Sequence, residues 1–300
     1  MMQVVLLASV GQTILLAGVG LIVLLAVGAF SVYMSIRNRV IQHRPANSPN
    51  PAKRQADKTV VVCAGDSITH GVISANYVDQ LERELPASDY QLFNAGINAD
   101  LSYTLLRRLD AVIAVNPGVV TILIGTNDIN ATISADSAKL YRKLERILPG
   151  DAPSFETYQK NYRTIVRRLK AETTARIALI SLPVMSEDLN ETANQLADQY
   201  STFVDKLAHS ENVTYLPLRE QMKTWLNKHP KTIRYAYADH YKMMNVAVLK
   251  HQLLGRSWDQ LTADVGQDFT YDQLHLNSRG AAMIAQLVKG FVMANQSHTV

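Results

Sequence analysis

The sequence predicts an α/β fold: five parallel strands with helices on both faces of the sheet, preceded by one transmembrane helix. Two observations carry this. After Thr59, short apolar runs alternate five times with amphipathic stretches, and residues 1–36 contain no charged side chain. With 300 residues, 47% hydrophobic and 19% charged, the chain can bury a large core, which excludes wholesale disorder.

Residues 14–32 are nineteen positions of almost pure Leu, Val, Ile, Ala and Gly. At about 1.5 Å per residue, such a helix spans roughly the 30 Å hydrocarbon core of a bilayer. A cleaved signal would have a basic start and a shorter apolar core, so the reading is a retained anchor over residues 1–36. Residues 37–58 hold three prolines and six Lys or Arg without helical or strand period, which predicts a flexible basic juxtamembrane linker. Anionic headgroups would attract it, and a solvated flank explains it equally well.

Residues 59–300 form the soluble domain. The apolar run 60–64 predicts a strand buried on both faces. Tyr77, Val78, Leu81 and Leu85 recur at helical spacing, and residues 90–94 give a second strand. Leu105, Leu106, Leu109, Val112 and Ile113 form one helix face, closed by Asn116-Pro117-Gly118. Strands follow at 119–124, 177–182 and 213–216, separated by helices lined by Tyr158 to Leu169 and by Ala193 to Leu207. A last helix carries Ile284, Leu287, Val288 and Phe291, with Ser278 as its expected N-cap. An insert of about fifty residues precedes it, with Trp225, Tyr235, Tyr237, Tyr241, Met243, Met244 and Trp258. These side chains fit either the wall of an acyl pocket or the packing of extra helices.

The net charge of +4 is local. Six cations against Asp57 alone give residues 1–58 a charge of +5, which leaves −1 for residues 59–300. A nucleic-acid-binding surface is therefore not expected. The single cysteine, Cys63, excludes an intramolecular disulfide and any multi-cysteine metal site. The first strand is followed by neither G-x-G-x-x-G nor G-x-x-x-x-G-K, so no nucleotide cofactor is expected. The histidines and carboxylates do not fall at zinc spacing, and no metal is expected.

In parallel sheets ligands bind beyond the carboxyl ends of the strands. Gly65-Asp66-Ser67-Ile68-Thr69 follows the first strand, Asn94-Ala95-Gly96 the second, and Gly125-Thr126-Asn127-Asp128 the third. Asp272-Gln273-Leu274-His275 precedes the last helix. Singly, each block reads as a cap, a turn or an accident. Together and in order they supply a nucleophile, oxyanion donors, a base and the group that orients the base, which is what acyl transfer requires.

On these four blocks the soluble domain resembles the SGNH hydrolases, also called the GDSL lipase/esterase family. The resemblance implies a flavodoxin-like three-layer α/β/α sandwich and hydrolysis of esters or thioesters of a small acyl or lipid-like substrate. It implies Ser67 as nucleophile, His275 as base, Asp272 as its orienter, and an oxyanion hole from Ser67, Gly96 and Asn127. One departure stands out. Many members carry a second glycine and a threonine soon after the first, whereas Ala99, Asp100 and Leu101 follow Asn98 here. The resemblance thus leaves the shape of that loop open. Two alternatives are an esterase removing O-acetyl groups from cell-envelope glycans and a non-catalytic membrane-tethered binding protein. Residues 1–13 carry no Lys or Arg, whereas 37–54 carry five, so the positive-inside rule predicts a cytoplasmic hydrolase domain.

Overall fold

A computed structural model describes residues 2–294, so Met1 and residues 295–300 of the outer two predicted segments lie outside the described residues. The chain divides into two units after His43.

In the first unit, α1 (Met2–Gln42) is one helix. Its window Gly18–Ile36 has a mean hydropathy of 2.3 and, among its described side chains, none that is buried, so length and composition allow a membrane span or a signal sequence. The helix runs six residues past the predicted anchor.

In the second unit, the segment predicted as a flexible linker is docked. Asn47 O accepts from Asn94 N (3.0 Å), Gln55 N donates to Gln91 Oε1 (2.7 Å), and Gln91 Nε2 donates to Lys53 O (2.7 Å). The reason lies in the sheet. Its strands β1 (Thr59–Gly65), β2 (Tyr90–Gly96), β3 (Val119–Leu123), β4 (Arg176–Ile180) and β5 (Thr214–Leu216) are all parallel, in the order β2-β1-β3-β4-β5. This leaves β2 at an edge, whose unpaired backbone and polar side chains the proline-rich segment covers.

Both neighbours of β1 are parallel to it, and the chain reverses its winding direction between β1 and β3. Gly65 is in register with Gly96 on one side and Leu123 on the other, so three strands end at one level. That is the crevice in which sheets of this kind bind ligands.

The strands are joined by α2 (Ser67–His70), α3 (Tyr77–Glu84), α4 (Ser102–Arg107), α5 (Leu109–Ala114), α6 (Thr126–Ile133), α7 (Ala135–Lys143), α8 (Phe155–Glu172) and α9 (Thr192–Ser210). The insert holds α10 (Leu218–Lys228), α11 (His240–Leu254) and α12 (Trp258–Asp264), and α13 (Ser278–Met293) closes the domain. Helix α13 packs on α3, whereas α8 packs on α4, α5 and α9.

Two further expectations need correction. The helix predicted over Leu105 to Ile113 is broken between α4 and α5 at Arg108. The Arg108 guanidinium instead donates to Asp100 Oδ2 (2.7 Å) and to Gly65 O at the end of β1 (2.9 Å). The N-cap of α13 is Asn277, which accepts from Gly280 N (3.0 Å), and Ser278 is the first helical residue.

Candidate active site

β1 delivers the chain to Asp66, whose Oδ1 accepts from Ile68 N (3.0 Å) and caps the single turn α2. Asp66 Oδ2 accepts from Thr126 Oγ1 (2.6 Å), which ties the turn after β1 to the turn after β3. Ser67 is the first residue of α2, so its N–H has no intrahelical acceptor.

Across 208 residues of sequence, Ser67 Oγ meets His275 Nε2 at 2.9 Å. His275 Nδ1 lies 2.7 Å from Asp272 Oδ2. Facing a carboxylate, Nδ1 carries the proton, which leaves Nε2 to accept from the Ser67 hydroxyl. Asp272 is fully buried, and its Oδ1 accepts from Leu274 N (3.1 Å) and His275 N (2.7 Å). The turn thus orients its own carboxylate.

Behind this loop the insert is packed by its aromatics. Tyr271 stacks on His275 at 6.1 Å and on Trp258 at 4.7 Å, and Trp225 Nε1 donates to Asp268 Oδ2 (3.2 Å). Tyr235 and Met243 line a cavity of about 460 Å³ with Val246, Leu261 and Tyr271.

The oxyanion side departs from expectation at Gly96. Its N–H donates to Asn94 Oδ1 (2.9 Å), while Asn94 Nδ2 donates to Thr69 O (2.8 Å). The Gly96 amide is thus already taken. What demands glycine here is space: a Cβ would lie 2.1 Å from His70 N, where β2 presses against α2.

Three residues on, Ala99 takes the left-handed conformation with φ +61°, and is half-buried. Among the described residues its N–H has no acceptor. Its loop is held by Arg146, whose Nε and Nη2 each donate to Asn98 O at 3.3 Å, and by Asp100, paired with Arg108 (2.7 Å) and Arg146 (3.4 Å).

Asn127 lies in the first turn of α6, buried. Its Nδ2 donates to Asp100 O (2.9 Å) and its Oδ1 accepts from Tyr141 Oη (2.7 Å). A backbone carbonyl only accepts, so these partners fix which end of the amide is nitrogen and leave its second N–H unused by them.

Two buried acids brace the floor. Burial pushes Asp66 up to about 6, against the bonds from Thr126 and Ile68. Burial likewise pushes Asp128 up to about 7, against the bonds it accepts from Ser102 Oγ (2.5 Å) and Ser102 N (2.9 Å). Cys63, inside β1, has its thiol pushed up to about 11 by burial. Among the described residues no group of three or more His, Cys, Asp or Glu is placed to hold a metal ion.

The structure thus joins Ser67, His275 and Asp272 in one hydrogen-bonded run, places Asn127 buried at the head of α6 against the Asp100 loop, and occupies the Gly96 amide with Asn94. Sequence reading missed Asn94, Asp100, Arg108 and Tyr141. Asn94 was visible inside its block as an amide two residues before the glycine. For Tyr141 no spacing gave a signal, because it reaches Asn127 from the next helix.

A model of the GDSL-like Lipase/Acylhydrolase family matches residues 63–283. The chain belongs to this family. The domain is thus an ester hydrolase, and the non-catalytic alternative falls. The structure of the hydrolase is similar to that of the acetyl xylan esterase AlAXEase, with a TM-score of 0.57 at 21% identity over 78% of this chain and 99% of that one. It is also similar to Axe2, an acetylxylan esterase from Geobacillus stearothermophilus, with a TM-score of 0.53 at 17% identity over 78% of this chain and 94% of that one. At these identities the likeness concerns the fold. No curated protein sequence matches the chain.

Proposed function

We propose that the hydrolase is a membrane-anchored serine enzyme that cleaves carboxylic esters or thioesters through an acyl-enzyme on Ser67. The observation that carries this is the unbroken run from Ser67 Oγ through the His275 ring to Asp272, at 2.9 and 2.7 Å. Ser67 Oγ attacks the carbonyl carbon while its proton passes to His275 Nε2. The tetrahedral oxyanion collapses, the bond to the leaving alcohol or thiol breaks, and Nε2 returns the proton to it. Water then repeats the sequence, losing its proton to Nε2, and releases the acid. Asp272 steadies the imidazolium in both halves.

In this reading the oxyanion is held by Ser67 N–H, the second N–H of Asn127 Nδ2, and Ala99 N–H in place of Gly96. Support also comes from Axe2, for which alanine variants of a serine, an aspartate and a histidine are described as catalytic mutants. The aspartate and histidine there are three positions apart, as Asp272 and His275 are.

A fluorophosphonate probe tests the nucleophile. The wild-type chain is expected to label and the Ser67→Ala variant to stay unlabelled and folded; labelling of the variant would overturn the assignment.

A second reading, removal of O-acetyl groups from envelope glycans, is favoured by the acetylxylan esterases that share the fold. Orientation separates the two. With Arg37, Arg39 and Arg44 after the apolar window, the proposed domain is cytoplasmic and acts on acyl esters or thioesters at that face. A C-terminal alkaline phosphatase fusion is expected to be inactive, and a strongly active one would move the substrates to the envelope.

A further inference from the structure

Asn127 serves the oxyanion only while its carboxamide keeps one orientation, and the groups that set it reach well beyond the four sequence blocks. Tyr141, from α7 and buried, gives its only hydroxyl proton to Asn127 Oδ1 at 2.7 Å. The Tyr141 oxygen faces Tyr241 Oη at 3.3 Å and Asn130 Nδ2 at 3.5 Å, both of which donate to it. Asn130 Oδ1 accepts in turn from Tyr237 Oη at 2.6 Å. Every proton in this chain points the same way, from Tyr237 through Asn130 and Tyr141 to the Asn127 carbonyl. Tyr237 and Tyr241 both belong to the insert between β5 and the Asp272 loop.

We infer that Tyr141 is a positioning residue for the oxyanion hole, and that the insert, through Tyr237 and Tyr241, holds it in place. The inference rests on the proposed serine mechanism. A donor at the amide oxygen draws electron density from the nitrogen, which makes the free N–H of Asn127 a stronger donor. Aligned hydrogen bonds polarise one another, so the chain acts on Asn127 as a unit. Burial pushes the Tyr141 hydroxyl well above its ordinary range, so it stays a donor throughout the working pH range. Tyr237 and Tyr241 thus turn inward to the hydrogen-bond chain that ends on Asn127.

The experiment uses the full chain in detergent with p-nitrophenyl acetate. Tyr141→Phe keeps the ring and removes the proton. It is expected to lower kcat about tenfold with KM changed less than about twofold, the scale of one hydrogen bond made stronger in the transition state. Tyr237→Phe, two links further, is expected to lower kcat about two- to threefold. In an Asn127→Ala background Tyr141→Phe should lower kcat further by no more than about twofold, and Tyr237→Phe should leave it unchanged, because the group they act through is gone.

Unchanged kcat in Tyr141→Phe would overturn the inference, and so would its full effect on top of Asn127→Ala. Should Tyr141→Phe fail to fold, Tyr237→Phe and Tyr241→Phe decide by the same cycle. Probe labelling keeps the two ideas apart. A wild type that fails to label at Ser67 sinks the serine mechanism, whereas a labelled wild type with normal tyrosine variants sinks only this inference.

Discussion

Asp272 and His275 lie three residues apart on one turn, whereas the groups around Asn127 come from separate places in the chain. On the first side, one carboxylate accepts from Leu274 N, His275 N and the His275 ring, all within its own turn. On the second, Asn127 is fixed by the Asp100 carbonyl and by Tyr141, 27 and 14 residues away. The difference is one of support. The Asp272–His275 pair is oriented within its own turn, whose flanks are anchored by Glu187 and Ser74, whereas the Asn127 carboxamide is itself set by distant partners. Substitutions remote in sequence should therefore reach the Asn127 amide more directly than the Asp272–His275 bond.

Asp272→Asn gives the largest expected effect and tests whether the local side is self-sufficient. An asparagine oxygen can still accept from Leu274 N and His275 N, so the turn should survive. The imidazole, however, then favours the wrong tautomer, and kcat is expected to fall by about 10⁴ with little change in KM. A loss below tenfold in steady-state kinetics would mean that another group orients His275. Asn127→Ala probes the other side and is expected to lower kcat by about 10²–10³, again with a smaller change in KM. If KM alone moved, Asn127 would bind substrate rather than the oxyanion.

Asp66, which ties the turn after β1 to the head of α6, and Asp128, beside Asn127 in α6, extend the comparison through pH. Both carboxyls are raised by burial, to about 6 and about 7, from about 4 in the unfolded chain. A raised acid binds its proton more tightly in the fold. Its stabilising contribution is complete below about pH 4 and is lost as pH rises through the folded value. Urea unfolding of Asp128→Asn beside wild type should therefore show the wild type losing ground as pH climbs from 5 to 8. A difference independent of pH would mean that Asp128 does not exchange its proton on folding.

The same contrast explains what could be read from the sequence. The strands and the order of the site blocks were legible because apolar runs and strand-end turns are local features. The Asp-x-x-His turn was legible for the same reason. The docking of residues 45–55 on β2 was not, since proline-rich polar chain has the same composition whether free or laid along a strand edge. Nor was the break at Arg108, where a helical periodicity yields to an ion pair with Asp100 and a bond to Gly65. Tyr141 was hidden because its partner is set by how α7 folds back on α6, which no spacing records.

Gly96 and Ala99 give the smallest and most discriminating test, because the sequence drew attention to the first while the second has the free amide. At Gly96 the constraint is room, so Gly96→Ala must drive β2 from α2, with a loss of stability of about 3 kcal/mol and displacement of Ser67. At Ala99 the constraint is conformation. A left-handed alanine costs about 1–2 kcal/mol, part of which glycine gives back through the greater freedom of its unfolded chain. Ala99→Gly is therefore expected to raise stability by about 0.5–1 kcal/mol, a shift of about 1–2 °C in Tm at this size. It should leave kcat/KM within about twofold, because the side chain contributes nothing and the amide N–H stays where it was. A fall of tenfold or more, with the fold intact by calorimetry, would mean that the Ala99 methyl itself meets the substrate, and the third oxyanion donor would have to be sought elsewhere.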